Sequence, residues 1–469
     1  MTLAIRLAMR PIAAIAALAL AGCAVGPDYR RPGPAAAAEA PLASAASPAF
    51  TGNEPPGRWW SLFADPVLDR LVEQALSANT DLRVAAANLA QARAALRETR
   101  AGRLPATNLS AGGAYADPGE EFGGGDADLR LNAGFDVSYQ VDLFGRVTRA
   151  IEASRAEAEA VQAAFDLTRI TVAAETARAY ADACSAGRQL AVARESVRIQ
   201  EQTFDLTRRL VEGGRGTALE TGQAGAQLEQ TRATIPTFEA LRRTALYRLA
   251  VLTGQPPAAF PPAVAACETP PSLSQPIPVG NGATLLARRP DIRAAERQLA
   301  AATARVGVAT AELYPSISLG GSVASNAASL GGIGSSAGLS FSLGPLISWS
   351  FPNIAVARAR IAQAEAGADA ALARFDGTWL GALEEIESAL TRYASELDRV
   401  AALRRARANS AEAARIARLR YRAGREPFQT TLDAERSLSQ VEAALAQAEA
   451  QLSTNLIAVF LALGGGWQS

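Results

Sequence analysis

Shifting the chain by 210 residues lays it onto itself, and no other feature restricts the possible folds as much. Asp81 falls on Asp291, Ala85 on Ala295, Leu89 on Leu299 and Leu109 on Leu319. The same offset pairs Phe165 with Phe375, Asp166 with Asp376, Thr168 with Thr378, Gly214 with Gly424 and Arg215 with Arg425. It goes on to pair Thr221 with Thr431, Leu228 with Leu438 and Gly254 with Gly464. The chain is two copies of one unit, residues 58–254 and 283–466, joined by a Pro-rich linker at 255–282.

Each copy has the same internal order. A helical stretch, about Pro66 to Leu104 and then Pro290 to Tyr314, stops ahead of Pro105 or Pro315, because the residue before proline disfavours the helix. A Gly/Ser-rich segment with period-two alternation follows. Leu129, Leu131, Ala133, Phe135, Val137, Tyr139 and Val141 alternate with Arg130, Asn132, Gly134, Asp136, Ser138, Gln140 and Asp142. In the second copy Leu339, Phe341, Leu343, Ile347 and Trp349 alternate with Ser340, Ser342, Gly344 and Ser348. Such strands present one apolar and one polar face. Weaker patterns near Ala106–Tyr115 and Ser316–Ala324 supply one partner strand each.

Long helices come next. No proline separates Pro118 from Pro236 or Pro352 from Pro427, and the only breaks are Gly213-Gly214-Arg215-Gly216 and Ala423-Gly424-Arg425-Glu426-Pro427. A helix from Arg146 to Glu212 would be ~100 Å long at 1.5 Å per residue, and a return helix is expected from Thr217 to Thr253. The second return helix carries a narrow stripe, Leu438, Val441, Leu445, Ala448, Leu452, Leu456, Val459 and Leu463. Helices of this kind touch along seams and leave other faces wet.

Four amphipathic strands cannot close a barrel, since membrane barrels need at least about eight and lipid tolerates no open edge. The strands must therefore be shared between chains. Three copies give twelve strands, with the long helices continuing as a hollow tube. The competing reading is a soluble elongated coiled coil, which leaves the alternation and the matched Gly/Ser segments unexplained.

Composition narrows the function. Arg alone supplies the basic charge, and 46 basic residues against 46 acidic ones leave a net charge of zero, which speaks against nucleic-acid binding. There is no His, with 3 Cys and 2 Met, so the commonest general base and the usual transition-metal ligands are missing. No enzyme and no metal site is expected. Asp and Glu are scattered among Arg at helical spacing, as on a solvated face.

The N-terminus is an address. Arg6 and Arg10 precede an apolar run from Pro11 to Gly22 that is too short to span a bilayer. The run ends in Leu20-Ala21-Gly22-Cys23, which resembles a bacterial lipobox, with residues 1–22 as signal peptide and Cys23 as the lipidated residue. The competing reading is an ordinary secretory signal. Residues 23–57 read as an extended tether, and 467–469 as a tail.

The chain resembles the TolC/OprM family of outer-membrane efflux channels, in its lipoprotein (NodT-like) branch. The residues that carry the resemblance run in order along the mature chain. They begin with Cys23-Ala24-Val25-Gly26-Pro27-Asp28-Tyr29, Trp59-Trp60 with Phe63-x-Asp65-Pro66, and Tyr139-x-x-Asp142-Leu143-Phe144-Gly145-Arg146. Arg288-Arg289-Pro290-Asp291-Ile292-Arg293, Leu432-Asp433-Ala434 and Ala462-Leu463-Gly464-Gly465-Gly466-Trp467 complete the set. The resemblance implies a homotrimer with a shared 12-stranded transmembrane β-barrel, a periplasmic α-barrel of long antiparallel helices and an equatorial collar. It implies an exit duct of a tripartite pump, with a periplasmic adaptor and an inner-membrane RND transporter as partners and outer-membrane lipid around the barrel. No cofactor is implied beyond the covalent lipid on Cys23. A type I secretion duct shares the fold, while a periplasmic adaptor or a coiled-coil lipoprotein fits the duplicated hairpin and the strands poorly. The transported solute is not written in the sequence.

Two site expectations follow. Once Cys23 carries lipid, Cys184 and Cys267 remain in an oxidising compartment and can pair, the alternative being two unrelated small buried residues. The two turns, near Gly213 and Gly424, are expected at the periplasmic end. There the resemblance makes Asp433 a candidate for an acidic ring facing the lumen, with Glu426 near the tip and Thr430 where some relatives carry a further acid. Tyr421, Arg425 and Arg215 are candidates for holding the tips by hydrogen bonds and ion pairs. The competing reading is that Asp433 only supports a helix start.

Overall fold

The computed structural model describes residues 24–33, 42–116, 128–273, 275–280, 286, 288–351 and 354–465. The leader, Cys23, part of the tether and the tail lie outside the described residues. Helices predominate: α1 (Pro66–Ala78), α2 (Thr80–Ala101), α3 (Arg146–Glu212), α4 (Ala218–Arg232), α5 (Ile235–Leu252), α6 (Pro262–Ala265), α7 (Pro290–Ala311), α8 (Ile354–Arg422) and α9 (Phe428–Ala462). The strands are β1 (Phe50–Thr51), β2 (Ala106–Ala116), β3 (Asp128–Val141), β4 (Ile277–Pro278), β5 (Ser316–Ala327) and β6 (Leu339–Ser348).

The repeat is structural as well as sequential. Helix α7 starts and ends 210 residues after α2, and α8 ends 210 residues after α3. Strand β5 likewise begins 210 residues after β2. Four helix ends close the same way, with a glycine at positive φ: Gly214 (70°), Gly254 (72°), Gly424 (68°) and Gly464 (77°). At each, the next amide reaches back five residues, as Arg215 N–H to Leu210 O at 2.7 Å and Arg425 N–H to Arg420 O at 2.9 Å.

The chain divides into two compact units. One gathers Asn88–Gln162 and Ala294–Asp376 with the N-terminal segment through Pro32. It holds a four-stranded antiparallel sheet in the order β2-β3-β5-β6. Its helices pack through alanine: Ala156 meets Ala300 and Ala301, and Ala302 meets Ala371, each group closed over by Tyr29. Small side chains let the backbones approach closely. The N-terminal stretch is not free where it is described. Arg149, 5% exposed, donates to Val25 O (3.2 Å), Gly26 O (3.4 Å) and Asp28 Oδ1 (2.7 Å). Tyr29 donates to Glu296 at 2.6 Å. A Cβ on Gly26 would lie 2.5 Å from Gly307 Cα, so only glycine fits that crossing.

The other unit holds Gly33–Ala87, Ala163–Arg293 and Gly377–Ser469. Strand β1 pairs in parallel with β4, which attaches the linker to the segment before the first repeat. Trp59 and Trp60 are buried, and Trp59 stacks on Phe460 with centroids 4.9 Å apart. The stripe on α9 packs as expected, with Leu445, Ala448 and Leu452 against Val400 and Leu403.

Three expectations need correction. The first helical stretch breaks at Asn79, whose backbone is extended and whose side chain caps α2, accepting from Asp81 N at 2.8 Å. The first return helix is not continuous from Thr217 to Thr253. It stops at Arg232 and resumes at Ile235, because Pro236 has no N–H for the Arg232 carbonyl and its ring crowds that turn. Trp349 lies beyond the end of β6, and its indole donates to Leu313 O at 3.2 Å.

Candidate functional site

Among the described residues no helix is long and apolar enough to cross a membrane. The sheet is the element with two solvents to satisfy. Odd-numbered positions form rows across all four strands: Leu109 lies opposite Phe135, Phe135 opposite Val323, and Val323 opposite Phe341. Below that row Tyr139 faces Leu319, and Val141, Ile317 and Ile347 align. Even-numbered positions form the other face, with Asn108, Asp136, Ser322 and Ser342 in one row. Ser322 and Ser342 share a hydrogen bond at 2.8 Å. The apolar face stays bare in one chain, with Leu109 81%, Phe341 82% and Leu343 86% exposed. Apolar outward and small and polar inward is the pattern of a barrel wall around water. Among the described residues, strands β2 and β6 each keep one unpaired edge. Pro345 lies on β6, an edge strand, where a missing N–H is tolerated.

Beneath the sheet, aromatic side chains gather. Phe144 stacks on Tyr314 at 4.6 Å, and Trp349 leans on Phe351 at 4.9 Å. Of these, Tyr314 and Trp349 combine an apolar ring with one polar group, which suits the boundary between lipid and water.

The second site is formed by the two hairpin turns. A built Cβ on Gly424 would lie 3.5 Å from the Arg215 guanidinium, so the turn of the second repeat abuts that of the first. Behind them Tyr421, Phe428, Leu432 and Ala224 form a buried cluster with Phe204, Leu206 and Leu210 against it. Tyr421 and Phe428 rings lie 5.4 Å apart. Helix α4 opens on a reciprocal cap, Thr217 Oγ1 accepting from Glu220 N and Glu220 from Thr217 N.

The predicted gate residues divide. Asp433 is exposed, accepts from Gln429 Nε2 and lies 4.0 Å from Arg436. Glu426 lies 3.8 Å from Arg420 across the turn. Arg215 and Arg425 make no ion pair among the described residues. Tyr421 sits in the buried cluster. Its hydroxyl is buried without a hydrogen-bond partner and its pKa is pushed up to about 12, by burial and then by the nearby Glu220 charge. Within one chain Tyr421 holds the tip by packing, not by a polar bond.

Cys184 and Cys267 form a disulfide with Cα atoms 4.8 Å apart. It ties the linker to α3, where a Cβ on Gly187 would lie 2.1 Å from Cys267 O. Among the described residues no group of three or more Cys, Asp or Glu is placed to hold a metal.

A polar-lined wall, open sheet edges and long hairpins from a duplicated unit are the parts of a channel subunit. The family model for outer membrane efflux proteins matches the chain twice, at residues 71–255 and 282–465. The chain belongs to the outer membrane efflux protein family. It is 33% identical to outer membrane protein OprJ of Pseudomonas aeruginosa over 97% of this chain and 95% of that one. It is 29% identical to the cation efflux system protein CusC of Escherichia coli O6:H1 over 96% and 97%. The solved outer-membrane channel OprN is 39% identical and superposes with a TM-score of 0.89, covering 95% of this chain and all of that one. The fold is therefore that of the TolC-like channels, and the chain is an outer-membrane efflux channel protein.

Several motifs that carried the family resemblance are joints of the fold. Asp65 caps α1 and accepts from the Tyr180 hydroxyl at 2.6 Å. Asp142 caps α3 through Val147 N and Thr148 N, both at 2.8 Å. Arg289 binds Asp291 and Glu385 and donates to the last helical carbonyl of α9, Ala462 O. Sequence reasoning missed Arg149, Thr203 and Glu435. Arg149 and Glu435 are buried charges in stretches rich in Arg and Glu, where nothing in the pattern separates them from solvated neighbours.

Proposed function

We propose that three copies of this chain close one pore, each giving four strands to a 12-stranded barrel and two helical hairpins to a periplasmic tube. The sheet carries the proposal. Its two faces suit lipid and water, and its unpaired edges on β2 and β6 are untenable in lipid unless neighbouring copies pair with them. Native mass spectrometry from detergent tests it; a trimer is expected, and a stable monomer in the membrane fraction rejects it.

The trimer serves as the passive exit duct of a tripartite pump, receiving small toxic solutes such as drugs from an inner-membrane RND transporter through a periplasmic adaptor. One relative is named for cation efflux, so solute choice within the family varies on a shared duct. Deleting the gene should sensitise cells to a set of compounds, and plasmid-borne wild type should restore resistance. Unchanged susceptibility in a strain whose transporter is active rejects the reading.

Cys23 is the lipidated first residue of the mature chain. Mass spectrometry of the mature N-terminus checks this, and a start at any other residue refutes it. At the tips, Asp433 and Glu426 form the acidic constriction, with Arg215 and Arg425 on the rim.

A further inference from the structure

Behind the apolar cluster at the hairpin tip, the packing of α9 turns polar. Glu435 is 4% exposed within a single chain, so its burial owes nothing to neighbouring copies. Thr203 of α3 donates its hydroxyl to Glu435 Oε1 at 2.8 Å. Arg418 of α8 brings a guanidinium nitrogen to 3.8 Å of the same oxygen. One carboxyl thus joins three helices two residues beyond Asp433. Two further polar groups of α3, Thr207 and Gln200, are also buried. Thr207 is satisfied by Phe204 O at 2.7 Å, whereas Gln200 Oε1 is buried with no donor.

The charge on this carboxyl is poorly matched. Its charged neighbours are Arg418 and Arg422, both on α8, and the Arg418 contact is neither short nor bidentate. From α3 it receives one hydroxyl. On its own helix Asp433 is bonded to Gln429, and Arg436 to Gln227 of α4 at 2.9 Å. Protonation removes a buried charge that these neighbours match only in part.

We propose that Glu435 is a positioning residue of the hairpin tip, a proton-responsive clasp that ties α9 to α3 and α8 and so sets how firmly the tip is packed. The proposal rests on the reading of the tips as the closing end of the duct.

Its sign follows from the burial. Desolvation raises the Glu435 pKa, and the Thr203 hydrogen bond and the Arg418 and Arg422 charges oppose that only in part. A raised folded-state pKa means that the clasp is fully made below the unfolded carboxylate pKa and weakens as pH rises through the folded value. Acid tightens the tip and alkali loosens it.

Purified trimers in planar bilayers, titrated from about pH 8 to about pH 5, test the clasp. Wild-type open probability should fall at least about twofold on acidification, whereas Glu435→Gln should stay low and flat, because the amide mimics the neutral acid. Thr203→Val, which loses the donor to the charged form, should move the midpoint to higher pH. Infrared difference spectra across the same range should show a protonated carboxyl band that Glu435→Gln lacks. Wild-type pH dependence retained in Glu435→Gln overturns the proposal. If that variant fails to assemble, an unmoved midpoint in Thr203→Val overturns it instead. Wild-type protein that conducts at no pH refutes the duct reading, and the infrared band then decides whether Glu435 titrates.

Discussion

The side-chain amide of Gln429 donates to both carboxylate oxygens of Asp433, at 3.0 and 3.2 Å, one turn further along the same helix. This places Asp433 beyond the first turn of α9, which contains no acidic residue. A helix dipole acts within that turn, so it gives Asp433 little to do. Asp433→Asn should change stability by no more than about 0.5 kcal/mol. It should weaken cation preference and block by divalent cations in bilayer recordings. Unchanged selectivity and block would return Asp433 to a purely structural role.

Adjacent positions on β6 should respond oppositely to the same charge. Phe341→Arg puts a guanidinium on the apolar face and should cost about 2–4 kcal/mol near mid-membrane, lowering the yield of inserted protein. Ser342→Arg, on the polar face, should insert normally. Membrane fractionation of the two variants is the comparison, and equal yields would contradict the facial assignment.

Denatured, unreduced mature protein should present no free thiol. Cys184→Ser combined with Cys267→Ser opens a loop with a sequence separation of 83 and should cost roughly 2–4 kcal/mol, seen as a lower unfolding temperature. Two titratable thiols in the wild type would refute the pairing.

Arg149→Met should free the N-terminal segment while leaving the sheet intact, since the carbonyls of Val25 and Gly26 both lose their guanidinium donor. The loss is about 1–3 kcal/mol of local stability for each group left unpaired. Gly26→Ala should act similarly, because it combines a φ of +90° with a clash against Gly307. Hydrogen exchange over residues 24–32 reports the release, and protection equal to wild type in both variants would show that the segment is held elsewhere.

What could be read from the chain beforehand was what recurs. Alternation in Leu129–Val141 set which residues share a face, and the 210-residue offset anticipated matching helix ends at Glu212 and Arg422. Alternation cannot choose partners, however. That β3 pairs with β5 of the other repeat, Val141 opposite Ile317, depends on long-range closure that no local pattern records. The interruption ahead of Pro236 had its cause in plain view, and treating the return helix as continuous overlooked it. Glu435 was beyond reach for a different reason. On a helix whose other faces carry Arg, Glu and Gln, one more acid looks solvated until the neighbouring helices are in place.

The interruption at Ala233–Thr234 distinguishes the two hairpins in a way the shared turns do not. The first returns through two short helices with a joint between them, the second through a single rod of 35 residues. Around a threefold axis, interrupted and continuous return helices would alternate, so a ring that looks sixfold by sequence repeat is threefold in the build of its walls.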